Sequence, residues 1–243
     1  MPLDILGVII LTATIQSLFG VGVLLFGTPL LLVLGYDFVT TLTTLLPISL
    51  AINLVQVGKH FDYIDRAFYR NILFWTVPTV IACLLLVTQL KLNIGLAVGV
   101  FLLFVAMKNV FPRVNQAIES LVRYEKSYFA AMGVVHGLTN LGGSLLTAIV
   151  HSKHYEKDVA RVTTAASYGT FALFQILTLL ASLKPEQLPP VRNLTLVCAG
   201  VGMFFLTEQL IYAKLDAARY RAIFAGFLFL SGLLLIGKAA LAQ

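Results

Sequence analysis

From its first residue the chain alternates long apolar runs with short polar breaks. The runs are Leu3–Phe19, Val23–Leu34, Val39–Val57, Ile72–Leu90, Leu92–Met107, Tyr128–Leu138, Leu141–Val150, Val162–Leu183, Leu194–Ala213 and Ile223–Ile236. None shows the period-two alternation of a half-buried strand, and the longest approach the roughly 20 residues a helix needs to cross the hydrocarbon. The second, sixth and seventh runs differ. At about ten to twelve residues they are too short to cross and suit half-helices or hairpins that turn back within the bilayer. The predicted fold class is an all-α integral membrane protein.

The same order, a glycine-broken hairpin and then three longer helices, occurs twice, which prompts a search for an internal repeat. Tyr36-Asp37 through Gln56 lies beside Tyr155-Glu156 through Gln175 at an offset of 119, with Thr44 on Thr163. Arg70-Asn71-Ile72 lies beside Arg192-Asn193-Leu194 at 122, and Lys91-Leu92 beside Lys214-Leu215 at 123. At the hairpin, Phe19-Gly20-Val21-Gly22 falls on Thr139-Asn140-Leu141-Gly142 at 120, and Pro78 falls opposite Gly200. The implied organisation is a first repeat over 1–112, a connector over 113–126 and a second repeat over 127–243. If each hairpin returns to the side it left, or if its two elements both span, each repeat crosses an odd number of times. The second repeat is then inverted relative to the first.

Composition agrees with lipid as the solvent. Hydrophobic residues are 59% of 243 and charged residues 12%, about half the usual share for a soluble domain, with a mean hydropathy of +0.92. The net charge of +6 reads as topology rather than as a nucleic-acid surface. Of 17 Lys and Arg residues, all but Lys91, Lys184, Arg192 and Lys238 fall on one face of the inverted-repeat topology. The positive-inside rule makes that face cytoplasmic and puts both termini outside the cytoplasm. The start, Met1-Pro2-Leu3-Asp4, has no basic n-region, so Leu3–Phe19 is expected to be mature protein. Cys83 and Cys198 lie in apolar runs and are expected as buried small hydrophobes, not a disulfide or metal pair. The connector's Val114, Ile118, Leu121 and Val122 share one helical face, as in a short helix lying on the membrane surface; a solvated linker is the alternative.

No nucleophile elbow, zinc-protease signature, Walker loop or dinucleotide fingerprint occurs, and no Asp or Glu pair sits mid-run. Neither an enzyme nor a metal or cofactor site is expected. What remains is the two hairpins. Gln16 precedes Gly20-Val21-Gly22, after which a half-helix holds Thr28-Pro29. His136 precedes Asn140-Leu141-Gly142-Gly143-Ser144. Glycine turns leave amide N–H groups uncovered, and the half-helix after each adds the positive end of its dipole, so both turns suit an anion near the midplane. Asn53 and Gln56 on one long helix and Thr163, Thr164, Ser167 and Tyr168 on the other complete the candidate pocket. His136 offers either an anion contact or a proton carrier, with helix packing as the alternative. Glu208 reads as an interfacial anchor, and Gly95-x-x-x-Gly99 and Gly133-x-x-x-Gly137 as helix-packing surfaces. These features suit a secondary transporter of a small anion by alternating access. A membrane scaffold or assembly factor that binds a partner helix is the alternative, and a homo-oligomer is compatible with either.

The glycine-rich turn, the half-helix with Pro29, Gly35-Tyr36-Asp37 and the Thr-rich helix after it resemble the TauE/SafE sulfite-exporter family. The first half keeps Gly20, Gly22, Pro29 and Gly35, and the second keeps Gly142 and Gly143. Val23 and Ser144 stand where each glycine run would end, and Ile149 where a proline is expected. The resemblance implies a multi-pass protein of the bacterial inner membrane that transports sulfite, a sulfonate or a related organosulfur anion.

Overall fold

The computed structural model describes residues 2–59, 61–90, 94–110, 122–182, 193–211, 229–230, 232–237 and 240. There is no strand among them. The helices run α1 Leu3–Phe19, α2 Val23–Leu34, α3 Phe38–Lys59, α4 Arg66–Leu90, α5 Ile94–Val110, α6 Glu125–Thr139, α7 Gly143–Ser152, α8 Lys157–Ser182 and α9 Asn193–Ile211. Residues 232–237 are helical too. Lipid offers no hydrogen-bond partner, so a spanning chain must satisfy its backbone within each segment, and helices do this. Three of them, α3, α4 and α8, are long and apolar enough to cross a membrane.

Left-handed residues turn both hairpins. Gly20 ends α1 at φ 74° with its N–H on Gln16 O at 2.8 Å. Asn140 ends α6 at φ 61° with its N–H on His136 O, also 2.8 Å. Glycine takes this conformation freely, and asparagine is among the few other residues that tolerate it. The far ends of each hairpin meet. Tyr36 OH donates to Asp4 Oδ2 at 2.8 Å beyond α1–α2, and Lys153 ion-pairs with Glu125 beyond α6–α7. Each hairpin therefore leaves from the end at which it began.

The helices interlock across the two halves. At the centre α3 packs on α8, while α1 packs on α9 and α6 on α4. The last contact is glycine-made. A Cβ at Gly133 would strike Thr79, with Thr76 O 2.5 Å away, and one at Gly137 would stand 2.7 Å from both Cys83 Cβ and Val80 O. Thr76 and Thr79 donate to Phe129 O and Ala130 O at 3.0 and 3.2 Å. Gly99 likewise approaches Gly232 O and Ile236. Close backbone approach between small residues is the expected mode of helix association in lipid.

Several boundaries move outward from the apolar runs. Helix α4 starts at Arg66 rather than Ile72, because the Asp65 carboxylate accepts from Ala67 N and Phe68 N and caps a polar first turn. A π-helical turn, Ile72–Thr76, then precedes Pro78. One expectation is corrected: Cys83 is half-buried and Cys198 exposed rather than both buried, although both cysteines are unpaired. Glu208, expected as an interfacial anchor, pairs with Arg161 of α8, with both side chains mostly buried. Connector residues 113–121 and half of the run Ile223–Ile236 lie outside the described residues.

Candidate functional site

The buried polar side chains among the described residues include no Asp, Glu, Lys or Arg. Some of them form two networks, one behind each hairpin turn. In the first, Gln16 Oε1 accepts the Val23 N–H at 2.9 Å. Its Nε2 donates to Asn53 Oδ1 at 3.3 Å and to Gln56 Oε1 at 3.5 Å, the long end of the range. Asn53 Nδ2 continues to Ser49 O at 2.8 Å and Ser49 Oγ at 3.1 Å. In the second, His136 Nδ1 accepts the Gly142 N–H at 3.2 Å, and Nε2 lies 3.0 Å from Gln175 Oε1. The imidazole sits against the Phe171 ring, centroids 4.7 Å apart, with Tyr168 beyond at 6.0 Å. Asn140 Nδ2 joins the second turn to the first half-helix, donating to Thr28 Oγ1 at 2.9 Å. Where α3 meets α8, a Cβ on Gly169 would lie 3.3 Å from Asn53 Cβ.

The turn amides read from the sequence as open are in good part engaged within the chain. Val23, Gly142, Gly20 and Asn140 donate as above, and Leu141 N donates to Thr139 Oγ1. The glycines instead permit contact. A Cβ at Gly22 would stand 2.5 Å from Gln16 N, one at Gly142 2.5 Å from His136 Cβ, and one at Gly143 would overlap the Tyr168 phenol. Ser144 and Ser167 donate back to Leu141 O and Thr163 O. Thr163 is drawn to the start of α4, accepting from Asp65 N at 3.1 Å.

Five buried polar atoms among the described residues have no hydrogen-bond partner: Gln56 Nε2, Gln175 Nε2, Tyr168 OH, Asn140 Oδ1 and Thr41 Oγ1. Each such group costs about 1–3 kcal/mol when left unsatisfied. Two are amide donors and two are hydroxyls able to donate. Gln175 lies outside the site expected from sequence, although its alignment with Gln56 in the repeat carries the signal. The sequence places Thr28 only within the half-helix, with no signal for its bond to Asn140.

The comparison with protein families matches Sulfite exporter TauE/SafE over residues 5–235, nearly the whole chain. The chain belongs to the TauE/SafE family. Among curated proteins and among solved structures, nothing matches it. TauE/SafE proteins are multi-pass membrane transporters of sulfite and related anions, not enzymes, and this membership outranks the scaffold reading. The cleft of about 480 Å³ in this TauE/SafE chain is a different feature. It is lined by Phe101, Phe104, Tyr124, Ser127, Tyr128, Ala131, Val135 and Leu145, and Tyr128 OH already donates to Leu145 O. Such a wall suits hydrocarbon rather than an anion.

Proposed function

We propose that the chain is a secondary transporter of sulfite, a sulfonate or a similar small oxyanion, which it binds through neutral donors and moves by alternating access between two inverted repeats, 1–112 and 127–243. The observation that carries this reading is the set of buried, unpartnered donors, Gln56 Nε2, Gln175 Nε2 and Tyr168 OH, among described residues whose fully buried polar side chains include no Asp, Glu, Lys or Arg; the mostly buried charges, Arg161 and Glu208, are paired with each other. Neutral donors favour an anion without the tight hold of a buried Arg or Lys, so release stays easy.

Matching geometry behind the two turns supports the duplication. Gln16 and His136, at an offset of 120, each receive a backbone N–H from the half-helix start and each face a glutamine, Gln56 and Gln175, at 119. The packing of α1 on α9 has its counterpart in α6 on α4. The cytoplasmic assignment rests on the basic residues, with Lys153 and the polar group of Glu125, Asp65 and Tyr155 at one end.

Calorimetry on detergent-purified protein with sulfite, sulfate, sulfoacetate and taurine tests the reading. At least one anion should bind, and Gln56→Leu or Gln175→Leu should weaken it by about 1.5–3 kcal/mol, the range for hydrogen bonds to a charged partner. Binding of cations or neutral solutes with none of any anion would overturn it.

A further inference from the structure

We infer that Gln16 and His136 are positioning residues, each of which holds a glutamine amide with its NH2 group turned away from the network, so that Gln56 and Gln175 present donors and select anions. This deepens the anion reading above and rests on it.

The orientation follows from groups that cannot change role. A backbone N–H only donates, so the Gln16 atom 2.9 Å from Val23 N must be its oxygen. The Gln16 nitrogen then faces Asn53 and Gln56, and both must turn oxygens toward it. The far side gives the same answer independently. Ser49 O only accepts, so the Asn53 nitrogen must face it and the Asn53 oxygen must face Gln16. With Gln56 Oε1 engaged, Gln56 Nε2 is left buried and unpartnered. The second network repeats the logic with a different side chain. The Gly142 N–H makes His136 Nδ1 an acceptor, so the ring proton sits on Nε2 and points at Gln175 Oε1. Gln175 Nε2 is left unpartnered in turn. A proton on Nδ1 would set donor against donor at Gly142, so this geometry makes His136 an orienting group rather than a proton carrier. In both networks a backbone amide at the half-helix start sets the polarity of a side chain on a long helix.

The repeat supplies its own conservative exchange. His136→Gln puts in the second network the residue the first already uses, and keeps one acceptor and one donor; His136→Leu keeps neither. Protein carrying ¹⁵N-labelled histidine, with His60, His151 and His154 changed to Gln, should show by NMR a neutral imidazole protonated on Nε2. Sulfite affinity by calorimetry should stay within about threefold for His136→Gln and fall about tenfold or more for His136→Leu, with folding of each checked by its melting curve. A proton on Nδ1, or equal affinities for the two variants, overturns the positioning role. A wild-type protein that holds the Nε2 proton yet binds no anion overturns the anion reading and the selectivity drawn from it, but not the proton position.

Discussion

Asp65 joins three elements with one residue. Its carboxylate caps α4, its Oδ2 receives Tyr155 OH at 2.5 Å, and its N–H donates to Thr163 of α8. Burial by itself raises the Asp65 carboxyl; the hydrogen bonds from Tyr155, Phe68 N and Ala67 N and the nearby Lys153 charge outweigh it and hold the group below the usual carboxylate range. Because folding lowers this pKa, the stabilisation is complete above the unfolded value of about 4 and is lost as pH falls through the lower folded value. Asp65→Ala should cost about 0.5–2 kcal/mol at neutral pH, the usual worth of an N-cap. Asp65→Asn should keep most of the cap but flatten the acid limb. Melting curves in detergent between pH 3 and pH 7, run on wild type and both variants, check both statements, and an acid limb of unchanged steepness in Asp65→Asn would count against them.

At the scale of elements, the α4–α6 contact depends on the absence of side chains. Gly133 and Gly137 let α6 approach Thr76, Val80 and Cys83 closely enough for the threonine bonds to Phe129 O and Ala130 O. Gly137→Leu should force α6 off α4 and cost at least the roughly 1–3 kcal/mol typical of overpacking. Gly7 provides the comparison. A Cβ there meets nothing within 4 Å, and Gly7→Ala should leave stability unchanged or raise it by up to about 1 kcal/mol through helix propensity. Parallel thermal melts decide this, and equal losses at both positions would show that the contact is not what matters.

For the whole molecule, the proposed inverted-repeat topology puts two marked ends on opposite faces of the membrane. Leu3, at the start of α1, and Glu156, just before α8, are both exposed. In a background lacking Cys83 and Cys198, Leu3→Cys should label with a membrane-impermeant thiol reagent from outside intact cells. Glu156→Cys should label only after the membrane is opened. Labelling of both from one side would end the inverted-repeat topology.

The helical, membrane-embedded class was legible along the chain because backbone bonding in lipid is satisfied within each segment, so a run of apolar side chains already specifies the helix. The hairpins were legible for a similar local reason, since the left-handed turns at Gly20 and Asn140 need particular residues at particular places. Even the counterparts Gln56 and Gln175 could be aligned. Which polar atoms are engaged and which are left over could not be read this way. Gln16 meets Gln56 across 40 residues of chain and His136 meets Gln175 across 39, and the direction each amide faces depends on both ends of those contacts. The turn amides looked open in sequence because the side chains that accept from Val23 and Gly142 reach them only once α1 and α6 have folded back against their own half-helices. A segment's solvent and secondary structure are local properties, whereas the polarity of a buried hydrogen-bond network belongs to the packed molecule.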